Sequence, residues 1–514
     1  MITFLLGIAI LILGYFFWGK VAEKIFKPDN RLTPAMENPD GLEKVPVSDK
    51  RNLFLQLLNI AGFGPLLGAA LGMKFGPIVF LILPIGNVLG GAIHDYFCGM
   101  ISCRNKGSDF AVLVQKFVGK KISIVFNIIL IATIILVVTT FSNSPAHVIN
   151  DLSSYLFSFS GGAVIAIAIA CILFYYLISS LFSINKFITK IYPFIGAFLI
   201  IVTILMIIFM IPSFGSIPDV PFTLEGFAAS FTQHPDGQPI IPMLFITVTC
   251  GILSGFHATQ SPIVARTMRS EKNGRRIFYG MMIVEGFIAM VWAAAVSILY
   301  TESPDALAIG NSTNIVVATA FFLFPAVLSV ACLILFLLLG ITTGDTALRV
   351  GRTTFGKIIH VDQKKIRNRI LTLLPLLVIV GILLYGANVI NTGKFDVLWS
   401  YNSWFNQIMA SFALIMATIY LAAKGKKWFV ILITALPGAF IIFNCISYIL
   451  WINPDKVGGT VVGLGLPLEV SYVIALAATI AIMILTVLHG YRLKKRPDFS
   501  PDEEPKYPDA AEQH

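Results

Sequence analysis

The residues best equipped for chemistry in this chain sit inside apolar surroundings. Ser254, His257, Thr259, Gln260 and Ser261 fall in one short segment, SGFHATQSP, residues 254–262. Such polar groups are expensive against lipid and normally face a bundle interior or a watered cavity. His257 is the side chain there that titrates near neutral pH, so it suits carrying a proton or donating to an anion; a satisfied structural histidine fits equally well. Glu285 stands in YGMMIVEGFIAMVW with no acid or base near it in sequence. A carboxyl so placed is paired, protonated or hydrated, which makes it a coupling-site candidate. The alternative is a packing clamp bonded to backbone or to Tyr279. In GITTGDTALRVGR, residues 340–352, the oxygens of Thr342, Thr343 and Asp345 suit a hard cation, while Arg349 at i+4 offers Asp345 a salt bridge instead. His94 and Asp95 fall near the inner end of a predicted helix, with a structural or gating role that includes anchoring the following loop.

Other chemistries lack their motifs. No Walker loop, GxSxG elbow or HExxH occurs, so neither ATP-driven pumping nor an enzyme is expected. The cysteines Cys98, Cys103, Cys171, Cys250, Cys332 and Cys445 have neither metal-ligand nor disulfide spacing and read as packing residues. No cofactor or metal is expected, beyond a coupling H⁺ or Na⁺.

The elements that must position these residues are membrane helices. Apolar residues make up 57% of the 514 and charged residues 12%, with a mean hydropathy of +0.84. A soluble domain does not approach these values. A spanning helix needs roughly 20 apolar residues, and candidate spans lie near residues 2–18, 53–73, 75–97, 120–142, 161–183, 188–211, 241–262, 277–300, 316–343, 370–390, 399–423, 428–451 and 470–491. The fold class predicted is all-α and polytopic, with about thirteen transmembrane helices.

Loop charge tests that count. The segments following spans 1, 3, 5, 7, 9, 11 and 13 hold 7, 5, 2, 5, 7, 3 and 5 Lys or Arg residues, 34 of the 37; Lys74, Lys394 and Lys456 are the rest. The positive-inside rule then puts the amino end outside and the carboxyl tail in the cytoplasm of a plasma or inner membrane. The first stretch lacks a basic n-region and a cleavage site, so it reads as a retained helix rather than a signal peptide. The net charge of +10 is thereby explained by topology, without a nucleic-acid partner.

Two spans are interrupted. Span 2 carries Gly62, Gly64, Pro65 and Gly68 at its middle, and span 7 carries Gly251, Gly255 and Pro262. Glycine adds backbone freedom and proline removes an N–H, so each helix should unwind or kink there. Unwound backbone at membrane depth is tolerated where it is buried in protein or lines a cavity. The two spans are five apart and run in opposite directions, as two inverted five-helix repeats require, and matched breaks point to a transporter's binding site. Close packing of neighbouring helices is the plainer explanation for either break alone. The segments Gly62, Phe63, Gly64 and Ser254, His257, Ala258, Thr259, Gln260, Ser261 are the expected substrate contacts. Free N–H groups at a half-helix start favour a carboxylate.

The expected organisation is an extra helix (1–19), a basic cytoplasmic loop (20–52), a first repeat (53–211), an extracytoplasmic loop (212–240), a second repeat (241–423), two further helices (424–491) and a disordered tail (492–514). An ion channel is the alternative to a symporter. It would need pore-lining rings, usually in an oligomer, and one chain with two unlike breaks fits it less well.

The blocks SGFHATQSP, NGRRIFYGMMIVEG (273–286), TTGDTALR (342–349), IAGFGP (60–65) and GGAIHD (90–95) resemble the carbon starvation protein A (CstA) family, from about Asn52 to Trp451. The resemblance implies uptake of peptides or, in some members, pyruvate driven by a proton gradient, and a LeuT-like fold. Leu55 and Gln56 stand where the family's long members carry a His-His pair, and His94 stands where Gln is usual, which puts inherited proton coupling in question.

Overall fold

A computed structural model describes residues 1–39, 44–181, 184–309, 311–363, 365–390, 395–453 and 463–503. The fold among them is all helical. The helices are α1 (Ile2–Phe26), α2 (Asp49–Ile60), α3 (Gly64–Gly72), α4 (Val79–Arg104), α5 (Phe110–Val118), α6 (Lys120–Phe157), α7 (Gly162–Leu181) and α8 (Ile184–Met210). They continue as α9 (His257–Ala265), α10 (Glu271–Glu302), α11 (Ser312–Leu323), α12 (Ala326–Ile358), α13 (Ile366–Val389), α14 (Phe395–Ala423), α15 (Trp428–Trp451) and α16 (Leu468–Lys494).

Eleven of the described helices are long and apolar enough to cross a membrane, and α2 with α3, bent by 50°, makes up to twelve. The expected thirteen is therefore not met by continuous helices. Residues 240–265 fall into short pieces, Ile240–Leu244, Phe245–Thr247 and Thr249–Ile252, followed by α9. The predicted span 316–343 is also corrected. Phe324 is extended and Pro325 heads the next helix without an N–H to offer, so the chain stops at Leu323 and restarts at Ala326. Ser329 ties the hinge by donating to the carbonyls of Ala320 at 3.1 Å and Phe324 at 3.0 Å. At about 1.5 Å per residue α12 runs roughly 50 Å, so the TTGDTALR block lies well inside a continuous helix rather than at its end.

The seven basic segments meet on one face. Arg104 donates to the carbonyl of Lys27 at 2.8 Å and to Glu271 at 2.8 and 3.1 Å. Arg266 bonds the Gly107 carbonyl at 2.7 Å and pairs with Asp109, which Lys357 also reaches. Arg369 donates to the carbonyl of Leu181 at 2.7 Å, and Lys424 pairs with Asp502. The opposite face holds the amino terminus, 2.9 Å from Asp219, with Lys74 bonded to the carbonyl of Ile309 at 3.0 Å. Tyr472 there donates to the carbonyl of Ile241. Residues 241–266 thus run from one face to the other, although in pieces.

Two loops are more ordered than composition suggests. Within 20–52, α1 continues to Phe26 and α2 begins at Asp49. The tail expected to be disordered from Arg492 instead extends α16 to Lys494 and then docks. Tyr420 donates to Asp502 at 2.9 Å, Arg104 reaches its other oxygen at 3.4 Å, and Asn105 donates to the carbonyl of Pro501 at 3.1 Å. Phe499 meets Phe117 edge to face at 5.8 Å. Residues 504–514 of the expected tail lie outside the described residues.

Candidate functional site

The two interruptions face one another. At the first, Ala61 leaves the helical region (ψ 60°) and α3 starts at Gly64 with Pro65 in its first turn, a position where a missing N–H costs nothing. At the second, Cys250 is extended (ψ 141°) and Gly251 takes φ +93°, which a side chain would strain. A Cβ on Gly64 would lie 2.4 Å from Cys250 Sγ, and one on Gly68 3.4 Å from the carbonyl oxygens of Cys250 and Thr247. The two breaks therefore pack closely, Gly64 against the Cys250 side chain with no room for a Cβ and Gly68 at ordinary contact distance from the opposite backbone.

Side-chain amides take up the backbone groups released by the second break. Asn87 Nδ2 donates to the carbonyls of Gly251 at 2.7 Å and Met282 at 3.0 Å. Asn87 opens the π-helical turn 87–91 that follows Pro84 within α4. Asn406 Oδ1 accepts from the Phe256 N–H at 3.1 Å and lies 3.4 Å from the Ser254 hydroxyl. Gln407 Nε2 donates to the carbonyls of Phe245 at 3.0 Å and Leu253 at 3.3 Å. Sequence reasoning missed Asn87, Asn406 and Gln407. Their signal was an amide inside an apolar stretch, of the kind that singled out Glu285.

His257 opens α9 and faces the acids of two other helices. Its Nδ1 lies 3.3 Å from Asp95 Oδ2 on α4, and its Nε2 lies 3.8 Å from Glu285 Oε1 on α10. His94 Nδ1 sits 2.8 Å from the other oxygen of Asp95. Asp95, His94 and Glu285 are 0% exposed and His257 is 1% exposed. Both oxygens of Glu285, both ring nitrogens of His257, Asp95 Oδ2 and His94 Nε2 lack hydrogen bonds of good geometry. Because α4 continues to Arg104, His94 and Asp95 sit roughly 13 Å along the axis from its basic end. They do not anchor the loop. Nor is Glu285 clamped by Tyr279, whose hydroxyl donates to the carbonyls of Gly14 at 3.3 Å and Val88 at 3.1 Å.

The remaining predicted residues divide between the breaks and α12. Gly62, Phe63 and Gly64 are buried at the first break, where a Cβ on Gly62 would meet Thr343 Oγ1 at 2.2 Å. Phe63 contacts Phe336 at 5.5 Å, and Phe336 contacts Trp292 at 5.0 Å, an aromatic layer beside the break. Ser254, Ala258, Thr259, Gln260 and Ser261 are all buried. Thr259 donates to the Phe256 carbonyl at 2.7 Å, Ser261 donates to the His257 carbonyl at 3.0 Å, and Gln260 Oε1 has no partner.

Thr342 and Thr343 donate within their own helix, to Leu338 and Leu339, each at 2.8 Å. Asp345 is 3.3 Å from Arg349 and accepts from Ser179 at 2.9 Å, so the salt bridge is formed. The structure thus groups His257 with Asp95 and Glu285, and holds Asp345 and Arg349 apart from them. Among the described residues no three His, Cys, Asp or Glu side chains converge as a metal site.

Residues 1–182, 163–323 and 300–447 match the family model described as carbon starvation protein CstA. An uncharacterized membrane protein of Haemophilus influenzae is 37% identical over 346 residues, spanning 60% of this chain and 93% of that one. The peptide transporter CstA of Campylobacter jejuni is 26% identical, over 61% of this chain and 52% of its own length. The pyruvate/proton symporter BtsT of Escherichia coli is 28% identical, over 54% and 46%. The chain thus spans about half the length of these two transporters. Among solved structures, a manganese transporter of Eremococcus coleocola superposes with a TM-score of 0.55 at 14% identity, over 88% of this chain and 99% of that one. A nucleobase-cation-symport-1 family transporter does so at 0.51 and 14%, over 90% and 97%. Both likenesses are of fold.

Proposed function

Since this chain belongs to the carbon starvation protein CstA family, an integral membrane family with transporter members, we propose that it is a proton-coupled symporter of small carboxylate-bearing nutrients, such as pyruvate or short peptides. The observation that carries this reading is the enclosure of His257 between Asp95 and Glu285. Two carboxylates cannot stay fully ionised without water unless protons or cations are shared among them, because the desolvation cost is several kcal/mol per ion. The imidazoles of His94 and His257 are the charged or chargeable groups that face them. The cluster therefore has a proton inventory that depends on the spacing of α4, α9 and α10.

In this reading the substrate lies between Gly62–Gly64 and residues 254–261, with its carboxylate toward the half-helix starts. His257 begins the half-helix that follows the second break. A substrate that shifts α9 would alter the distances from His257 to both acids, and with them the proton affinity, which is the differential interaction that coupling requires. The basic face is cytoplasmic, residues 240–265 form a thirteenth crossing, and 53–211 with 241–423 form two inverted repeats that rock against one another. A channel is disfavoured by the transporter folds that the chain resembles and by the names of its relatives.

The test is uptake of labelled pyruvate and of a dipeptide into proteoliposomes holding the purified full chain. Accumulation that rises with an inward proton gradient and collapses with a protonophore is the expected result. Uptake indifferent to the gradient would refute coupling, and steady single-channel currents would favour a pore.

A further inference from the structure

A cavity of about 80 Å³ runs from Asn59 and Thr259, next to the two breaks, to Arg266, Arg352 and Asp109 on the basic face, passing Arg349. Its walls come from α2, α9, α12, α6 and the start of α5. Three guanidinium groups border it, and each is fixed by partners from another part of the fold or from its own helix. Arg349 donates to Ser179 Oγ at 2.6 Å and lies 3.3 Å from Asp345. Arg352 donates to Gln363 Oε1 at 2.6 Å, and Arg266 is held by Asp109 and the Gly107 carbonyl. Three positive groups and one negative group, Asp109, line the space, while Lys357 and Asp345 pair with Asp109 and Arg349 from outside its lining.

At the inner end the Asn59 side chain is 4% exposed, and its Nδ2 has no hydrogen-bond partner. A buried amide N–H₂ without an acceptor costs about 1–3 kcal/mol, and a carboxylate oxygen would satisfy it. Charge focused between low-dielectric walls raises the local concentration of the opposite sign. We propose that this cavity is a second substrate site, a waypoint that receives a small organic carboxylate as it passes between the breaks and the basic face, with Asn59 at its inner end and the Arg266, Arg349 and Arg352 charges at its outer end.

This deepens the symporter reading and rests on it for the word substrate, but its test needs no transport. Ala111 lines the same cavity on α5 and is small. In the Ala111→Cys chain, with the parent as background and each rate divided by that reagent's rate with a free thiol in solution, an anionic sulfonatoethyl methanethiosulfonate should label roughly tenfold faster than its cationic trimethylammonium analogue. Pyruvate should slow that labelling. Arg352→Gln should reduce the anion preference severalfold while Arg352→Lys retains it, which separates charge from packing. Asn59→Ala should abolish protection by pyruvate and leave the preference intact. Equal normalised rates for the two reagents, or labelling that pyruvate does not slow, would overturn the proposal. If charge preference and protection hold while proteoliposomes show no uptake, the carboxylate site stands and the symporter reading falls.

Discussion

His257 and Asp95 approach to 3.3 Å from two different helices, in a place where neither side chain meets solvent. The contact joins the half-helix after the second break to a helix that ends on the basic face at Arg104. It ties the first residue of that half-helix to a side chain of the neighbouring long helix.

The acids of this cluster should be separable from binding. Asp95→Asn and Glu285→Gln keep size and polarity but cannot hold or release a proton, so accumulation driven by a proton gradient should fall by about a hundredfold, the lower end of what proton-transferring groups contribute. Exchange of labelled for unlabelled substrate without a gradient should continue. Undiminished gradient-driven accumulation by Glu285→Gln would remove that residue from coupling.

The contact between the breaks should tolerate no added methyl. Gly64→Ala places a Cβ 2.4 Å from Cys250 Sγ, and overpacking of this kind costs about 1–3 kcal/mol. A lower melting temperature in detergent is expected. Cys250→Ala in the same chain should restore part of it, because the sulfur is what the new methyl meets. Purely additive losses would show that the two sites do not touch.

The amide that supports the second break should matter more than its distance from the cluster suggests. Asn406→Ala removes the acceptor for the Phe256 N–H, leaving a buried donor unpaired at a cost of roughly 1–3 kcal/mol. Asn406→Asp keeps the acceptor. Hydrogen exchange at residues 254–258 should quicken in the alanine variant and much less in the aspartate one.

The face opposite the basic one should loosen in acid. His234 packs on Phe75 with ring centroids 4.5 Å apart, with Asp236 Oδ2 at 4.0 Å and Lys74 as its other charged neighbour. Burial lowers its pKa from the ordinary 6.5 to about 4. The folded state holds this imidazole neutral while the unfolded chain takes up a proton below pH 6.5, so the stabilisation is present above 6.5 and is lost as pH falls toward 4. Protection in residues 217–244, corrected for the intrinsic exchange rate at each pH, should fall across that window, and His234→Gln should flatten the dependence.

Much of this was legible before any coordinates. Lipid-facing composition fixed the helical class, and the alternation of basic loops anticipated that Lys27, Arg104, Arg266, Lys357 and Lys424 would share a face. Glycine and proline marked the first break and glycine the second, whereas Pro262 lies inside α9. What the sequence concealed was partnership across helices. His257, Asp95 and Glu285 are distant in the chain, and a hydropathy window ends α4 near residue 97, which made Asp95 look like a loop anchor. Continuation of that helix to Arg104 places Asp95 deep in the bundle instead. The second break hid a different fact. Its backbone is satisfied by Asn87, Asn406 and Gln407, and no local pattern links an amide to a distant carbonyl.

The docking of Asp502 has a consequence for biosynthesis. Arg104 and Asp502 are separated by nearly four hundred residues, so at typical translation rates the carboxylate follows the guanidinium by roughly 20–80 s. Through that interval Arg104 can find Glu271 but not Asp502, and Tyr420 and Lys424 reach the ribosome exit before their acid does. The basic face of a nascent chain is thus assembled early and fastened late. A chain released short of residue 502 would insert all its helices and keep the direct Arg104–Tyr420 bond at 3.2 Å, but it would lack the carboxylate that clasps both of them and Lys424.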